Sequence, residues 1–111
     1  LDGIKDHEIS SDTVKDIENS LKENDKVTDV TYNNEGRILD FIITVSNDMS
    51  TEDAKKLGDT ILDKISDDDK KYYDIQILID TEEENDNYPI AGYKHKSEDN
   101  FTYGNEVGSS E

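Results

Sequence analysis

Two histidines, His7 and His95, are the only imidazoles in the chain, and imidazole is the side chain best placed to move a proton near neutral pH. His95 lies in Tyr93-Lys94-His95-Lys96, and its spacing supplies neither a carboxylate to orient it nor a nucleophile to activate. Carboxylates abound, with 29 Asp and Glu residues. Two runs, Asp67-Asp68-Asp69 and the stretch from Asp80 to Asp86, offer the oxygens that a hard cation such as Ca2+ takes. Neither has the D-x-D/N-x-D/N-G spacing of a calcium loop, nor its turn glycine. A glycosidase needs two carboxylates facing each other across a cleft, and a domain of 111 residues has little room for one. Ser10 and Ser50 open helical patterns and are accounted for as caps. The sequence holds no G-x-S-x-G elbow and no P-loop, and its six glycines are scattered. The expectation is a protein with no catalytic residue, no cofactor and no dedicated metal site, hence not an enzyme.

The aromatic residues are a stronger signal. Tyr72, Tyr73, Tyr88, Tyr93, Phe101 and Tyr103 crowd the C-terminal third. Tyrosine suits interfaces because its ring buries while its hydroxyl stays wet. Tyr88, Tyr93, Phe101 and Tyr103 are therefore the candidate partner-binding residues. The competing role for them is to cover one face of a sheet within the same chain.

Charge narrows the class of partner. The formal net charge is −17, and Arg37 is the lone arginine among twelve basic residues. Such a chain repels nucleic acid and anionic lipid, which leaves basic proteins, cationic peptides and divalent cations open, with a protein partner expected. Identical acidic surfaces also resist self-association, so a monomer is expected. Low hydropathy with high net charge is the mark of disorder, but the apolar residues here fall into periodic segments. Cysteine is absent, which removes disulfides and zinc–thiolate sites. No run of residues is apolar enough to span a membrane. The chain begins at Leu1, which fits an extracytoplasmic domain joined to the membrane only through an anchor upstream.

The elements that must position these residues follow from spacing. Ser10 caps a first helix over about 11–23, with Val14, Ile17 and Leu21 at helical spacing and Ile9 as a staple partner. Val27 to Tyr32 is a short strand, Asn33 to Gly36 a turn, and 37–46 a strong strand. That strand turns Leu39, Phe41, Ile43 and Val45 to the core and Ile38, Asp40, Ile42 and Thr44 away. Ser50 caps a second helix with Ala54, Leu57, Ile61, Leu62 and Ile65 on one stripe, ending at Ser66 to Asp69. Gly58 inside it costs about 1 kcal/mol against alanine, which implies close packing there. A third strand covers about 72–80.

The fold class is therefore α+β, in the order α-β-β-α-β. A three-stranded sheet in order 1-2-3 has its last strand parallel to the middle one through a right-handed crossover. Both helices pack on one face, and a C-terminal extension is able to add an edge strand. The other face, with Thr31, Ile38, Ile42 and Leu78, needs cover from 88–103 or serves as a contact surface. The domain reading is an N-terminal lead-in at 1–9, an α+β core at 10–81, an acidic loop and aromatic segment at 82–104, and a flexible tail at 105–111.

Over about residues 10–80 this element order resembles the ring-building motif of secretion, flagellar and sporulation ring proteins. That resemblance implies an assembly module without catalysis, exported or membrane-anchored. The Lys-, Asp- and Asn-rich acidic body is also similar to small lipoprotein ectodomains of low-GC Gram-positive bacteria. The resulting expectation is a non-enzymatic, extracytoplasmic protein-interaction domain, the soluble part of a surface lipoprotein. The alternative is a self-assembling ring-building subunit.

Overall fold

A computed structural model describes residues 9–105, with side chains described through Gly104. His7, most of the N-terminal lead-in and the tail beyond Asn105 lie outside the described residues.

Three serines start three helices. Ser10 Oγ accepts from the Thr13 N–H at 3.1 Å and opens α1 (Ser11–Lys22). Ser50 Oγ accepts from the Asp53 N–H at 3.1 Å and opens α2 (Thr51–Lys64). Ser66 Oγ accepts from the Asp69 N–H at 3.2 Å and opens α3 (Asp67–Tyr72). This third helix corrects the sequence expectation, in which Ser66 to Asp69 only ended the second. Asp67, Asp68 and Asp69 occupy its first turn and Lys70 and Lys71 its last, the charge order that a helix dipole favours.

The sheet has five strands, not three, in the order β1 (Val27–Glu35), β2 (Ile38–Val45), β3 (Asp74–Thr81), β4 (Ile90–Lys94) and β5 (Thr102–Asn105). β2 and β3 are parallel, as the helical connection between them requires, and the other neighbours are antiparallel. The hairpin between β1 and β2 is tighter than expected. Glu35 pairs with Ile38, leaving Gly36 at φ 62° and Arg37 as the two turn residues, the backbone of a type II′ turn. At the other end of β1 the register shifts between Val27 and Asp29. This bulge puts both Val27 and Val30 in the core, where strict alternation would separate them.

One sheet face carries the core. Leu39, Phe41, Ile43 and Val45 of β2 and Ile75, Ile77 and Ile79 of β3 are buried against Ile17 and Leu21 of α1 and Ala54, Leu57, Ile61 and Leu62 of α2. The C-terminal segment does not fold across the opposite face. It lengthens the sheet beside β3, because Ile90 to Lys94 pairs with Ile75 to Ile79 and then with Thr102 to Asn105. The opposite face is left open along its length.

Candidate docking surface

The four aromatic residues expected to bind a partner are not brought together. Tyr88 is only 3% exposed. Its hydroxyl donates to the carbonyls of Met49 at 2.8 Å and Ser50 at 3.3 Å, which fastens the start of α2 to the strand that follows. Phe101 and Tyr103 lie on the helix side, their rings 5.8 Å apart, packed against the core. The Tyr103 hydroxyl donates to the Lys55 carbonyl at 2.8 Å. Burial, then the charge of Asp59, pushes this phenol up to about 12. Tyr93, from the same strand pairing, is 39% exposed on the open face, and its hydroxyl donates to Asp74 Oδ2 at 2.9 Å.

The open face therefore carries a different set. Register places Thr31, Ile42, Leu78, Ala91 and Gly104 in one row across all five strands. Asn33, Asp40, Gln76, Tyr93 and Thr102 form the next row. Ile42 is 40% exposed, a large apolar side chain in the middle of the sheet. Beyond Leu78 the row drops to Ala91 and Gly104, and a trough of about 640 Å3 opens over β4. Ile42 and Leu78 form one wall, and Tyr93 closes one end. An added Cβ at Gly104 would meet nothing within 4 Å, so the trough is open on that side. Alternation in the sequence identifies Ile42 and Leu78. The Ala91–Gly104 floor has no such signal, since small residues become a floor only after strands pair.

The electrostatics of this face have one sign. Asp29, Asp40, Asp74 and Asp80 point outward from β1, β2 and β3, and none of the described outward positions is Lys or Arg. Burial, then the neighbouring charge of Glu35, holds the Asp40 carboxyl above its ordinary value. A carboxylate so placed gains from an incoming cation.

The candidates for chemistry stay apart. His95 is exposed, its Nδ1 2.7 Å from Ser97 Oγ in a short turn of its own. Asp67, Asp68 and Asp69 are the first turn of α3. The acidic stretch after β3 is tied back by Thr81 Oγ1 donating to the Glu83 carbonyl and by Asn85 Nδ2 donating to the Asn47 carbonyl at 3.0 Å. Among the described residues no three His, Asp or Glu side chains converge as a metal site would require, and no helix is long and apolar enough to cross a membrane. Comparison with protein-family models, curated proteins and solved structures finds no match to this chain.

Proposed function

We propose that this chain is a non-enzymatic protein-interaction domain whose open sheet face takes a basic, amphipathic segment of a partner protein. One observation carries the reading: a partly exposed apolar row, Ile42–Leu78–Ala91, ends in an unfilled trough, and the charged side chains that point outward from the described strands of this face are all carboxylates. An apolar side chain of the partner fills the trough over Ala91 and Gly104, and flanking Lys or Arg residues meet Asp40 and its neighbours. Apolar burial supplies affinity, and the acidic border speeds encounter and sets orientation. Two copies meeting through this face would set carboxylate against carboxylate, which disfavours the ring-building alternative. A cysteine-free, strongly acidic body supports placing the domain outside the cytoplasm, as the soluble part of a Gram-positive surface lipoprotein.

The test is an NMR titration of the 15N-labelled chain with a synthetic amphipathic helix bearing leucines on one face and lysines on the other. A matched peptide with glutamates in place of lysines is the control. Saturable shifts at Ile42, Leu78, Ala91 and Gly104 with the lysine peptide alone, lost in Gly104→Leu, are the expected result. Binding that survives Gly104→Leu unchanged, or shifts confined to the helix side, would overturn it.

A further inference from the structure

Lys94 is the unusual residue in the core. It stands at the inward end of β4, where alternation calls for an apolar side chain, and is 1% exposed. Its ammonium donates to the Lys70 carbonyl at 2.9 Å and to the His95 carbonyl at 3.3 Å. Lys70 lies in the last turn of α3, so one of these bonds satisfies a helix-end carbonyl. An ammonium has three protons to donate. Among the described residues no acceptor takes the third, and no carboxylate pairs with the charge. Burial, then the charge of Lys70, draws this amine below the ordinary lysine value. The charges of Asp99, Asp74 and Glu98 offset this in part, but none is in contact with the ammonium, and a buried cation without a contacting counter-charge is costly to hold.

Lys94 forms part of the wall of a cavity of about 700 Å3 between α3 and the turn after β4. Lys70, Lys71 and Lys96 also line it, so a third of the twelve basic residues of a −17 chain converge on one concavity. Three carboxylates share the lining, and two are already engaged. Asp67 pairs with Lys70 at 3.4 Å, and Glu98 Oε1 accepts from the His95 backbone N–H at 3.3 Å. Asp99 is the third. Lys71 and Lys96 have no ion pair among the described residues. The Lys96 backbone is fixed by its N–H donating to Asp74 Oδ1 at 2.8 Å, so that part of the wall is held in place without the Lys96 side chain.

We propose that this cavity binds a compact oxyanion of the phosphate class, held between Lys71 and Lys96 and seated against the buried ammonium of Lys94. The third Lys94 proton is the donor for one oxygen. The anion supplies a counter-charge in contact with the ammonium, which Asp74, Glu98 and Asp99 provide only from a distance. The site is separate from the open sheet face and does not depend on it.

Titration of the full chain with inorganic pyrophosphate, followed by 15N amide shifts, tests the site. Inorganic phosphate and citrate form two further arms, and sodium chloride at matched ionic strength is the control. Saturable shifts confined to 67–72 and 94–99, stronger with pyrophosphate than with citrate, are expected. So is a rise in the titration midpoint of the Lys94 amine when pyrophosphate is bound. Lys71→Ala/Lys96→Ala touches only side chains outside the core, and it should weaken binding at least tenfold without lowering the melting temperature. Shifts reproduced by sodium chloride, a citrate response equal to that of pyrophosphate, or unchanged affinity in the double variant would each overturn the proposal.

Discussion

Tyr103 and Gly58 are in contact where β5 meets α2. The phenol reaches over the bare Cα of Gly58 to donate to the Lys55 carbonyl at 2.8 Å, linking residues 48 positions apart. A Cβ at position 58 would run into the Tyr103 hydroxyl and stand 2.8 Å from Phe101 Cδ2. In an isolated helix, alanine would be better than glycine by about 1 kcal/mol. Here overpacking, worth about 1–3 kcal/mol, outweighs that gain. Gly58→Ala is expected to lower stability in urea denaturation. Its penalty should shrink in a Tyr103→Phe background, where the obstructing oxygen is gone. Strictly additive effects would show that this contact is not why position 58 is glycine.

The two glycines of the C-terminal strands should respond oppositely. A Cβ at Gly92 would come within 2.7 Å of Tyr103 Cε1 and 2.8 Å of Ile77 Cγ1. One at Gly104 would meet nothing. Gly92→Ala is expected to cost about 1–3 kcal/mol and to speed amide exchange at 102–105 as β5 loosens. Gly104→Val should leave stability within about 0.5 kcal/mol of the parent, or improve it through strand propensity.

These contacts explain why the last third of the fold is hard to read from the residues. The core strands advertise themselves: Leu39, Phe41, Ile43 and Val45 alternate, and Ser10 and Ser50 stand where caps belong. β4 offers Ile90, Gly92 and Lys94 as its inward positions, which spells no hydrophobic stripe. The space above Gly92 is filled by Tyr103 from the neighbouring strand, a relationship absent from any local window. Ser66 is hidden for a related reason, since a serine followed by three aspartates reads as readily as the end of one helix as the start of another. The open face is half legible, because Ile42 and Leu78 show by alternation while the trough needs the register of four strands.

Alkaline pH should destabilise the domain through two half-buried phenols, Tyr32 and Tyr103. Burial, then Tyr73, pushes Tyr32 up to about 12, and burial, then Asp59, does the same for Tyr103. Between the ordinary value of 10 and about 12, the unfolded chain has released these protons while the native state still holds them. Stability therefore falls as pH rises through that window, and the contribution is fully present below it. Lys94 acts in the reverse sense. Its amine is lowered from 10.5, so stability rises with pH up to that value. Comparing Tyr103→Phe with the parent cancels the lysine contribution. The variant should lose about one proton from the slope of unfolding free energy against pH. An unchanged slope would mean that the Tyr103 phenol titrates normally in the native state.

Removing the cap of the shortest helix tests whether α3 is held by its own ends or by its neighbours. Ser66→Ala deletes the bond to the Asp69 N–H, a loss of typically about 1 kcal/mol. Ser50→Ala, at the longer α2, is the reference. Equal costs in chemical denaturation, with faster amide exchange at 69–72 in Ser66→Ala alone, are expected. A negligible cost at Ser66 would place the stability of α3 in the Lys94 contact to Lys70 instead.

Asp40 should trade stability for recognition. Its carboxyl is held above the ordinary value by burial, then by Glu35. The folded state thus favours the protonated acid, and the associated stability is lost as pH rises through the raised value. At neutral pH the charge opposes folding, and Asp40→Asn is expected to raise stability by up to about 0.5 kcal/mol. If a basic partner docks on the open face, the same substitution removes the attraction that guides it. Stopped-flow association of the lysine peptide should then slow several-fold and lose part of its dependence on salt, with dissociation little changed, as for a charge at the border of an interface. An association rate equal to that of the parent at low salt would show that Asp40 does not face the incoming cations, and the acidic border would lose its assigned role.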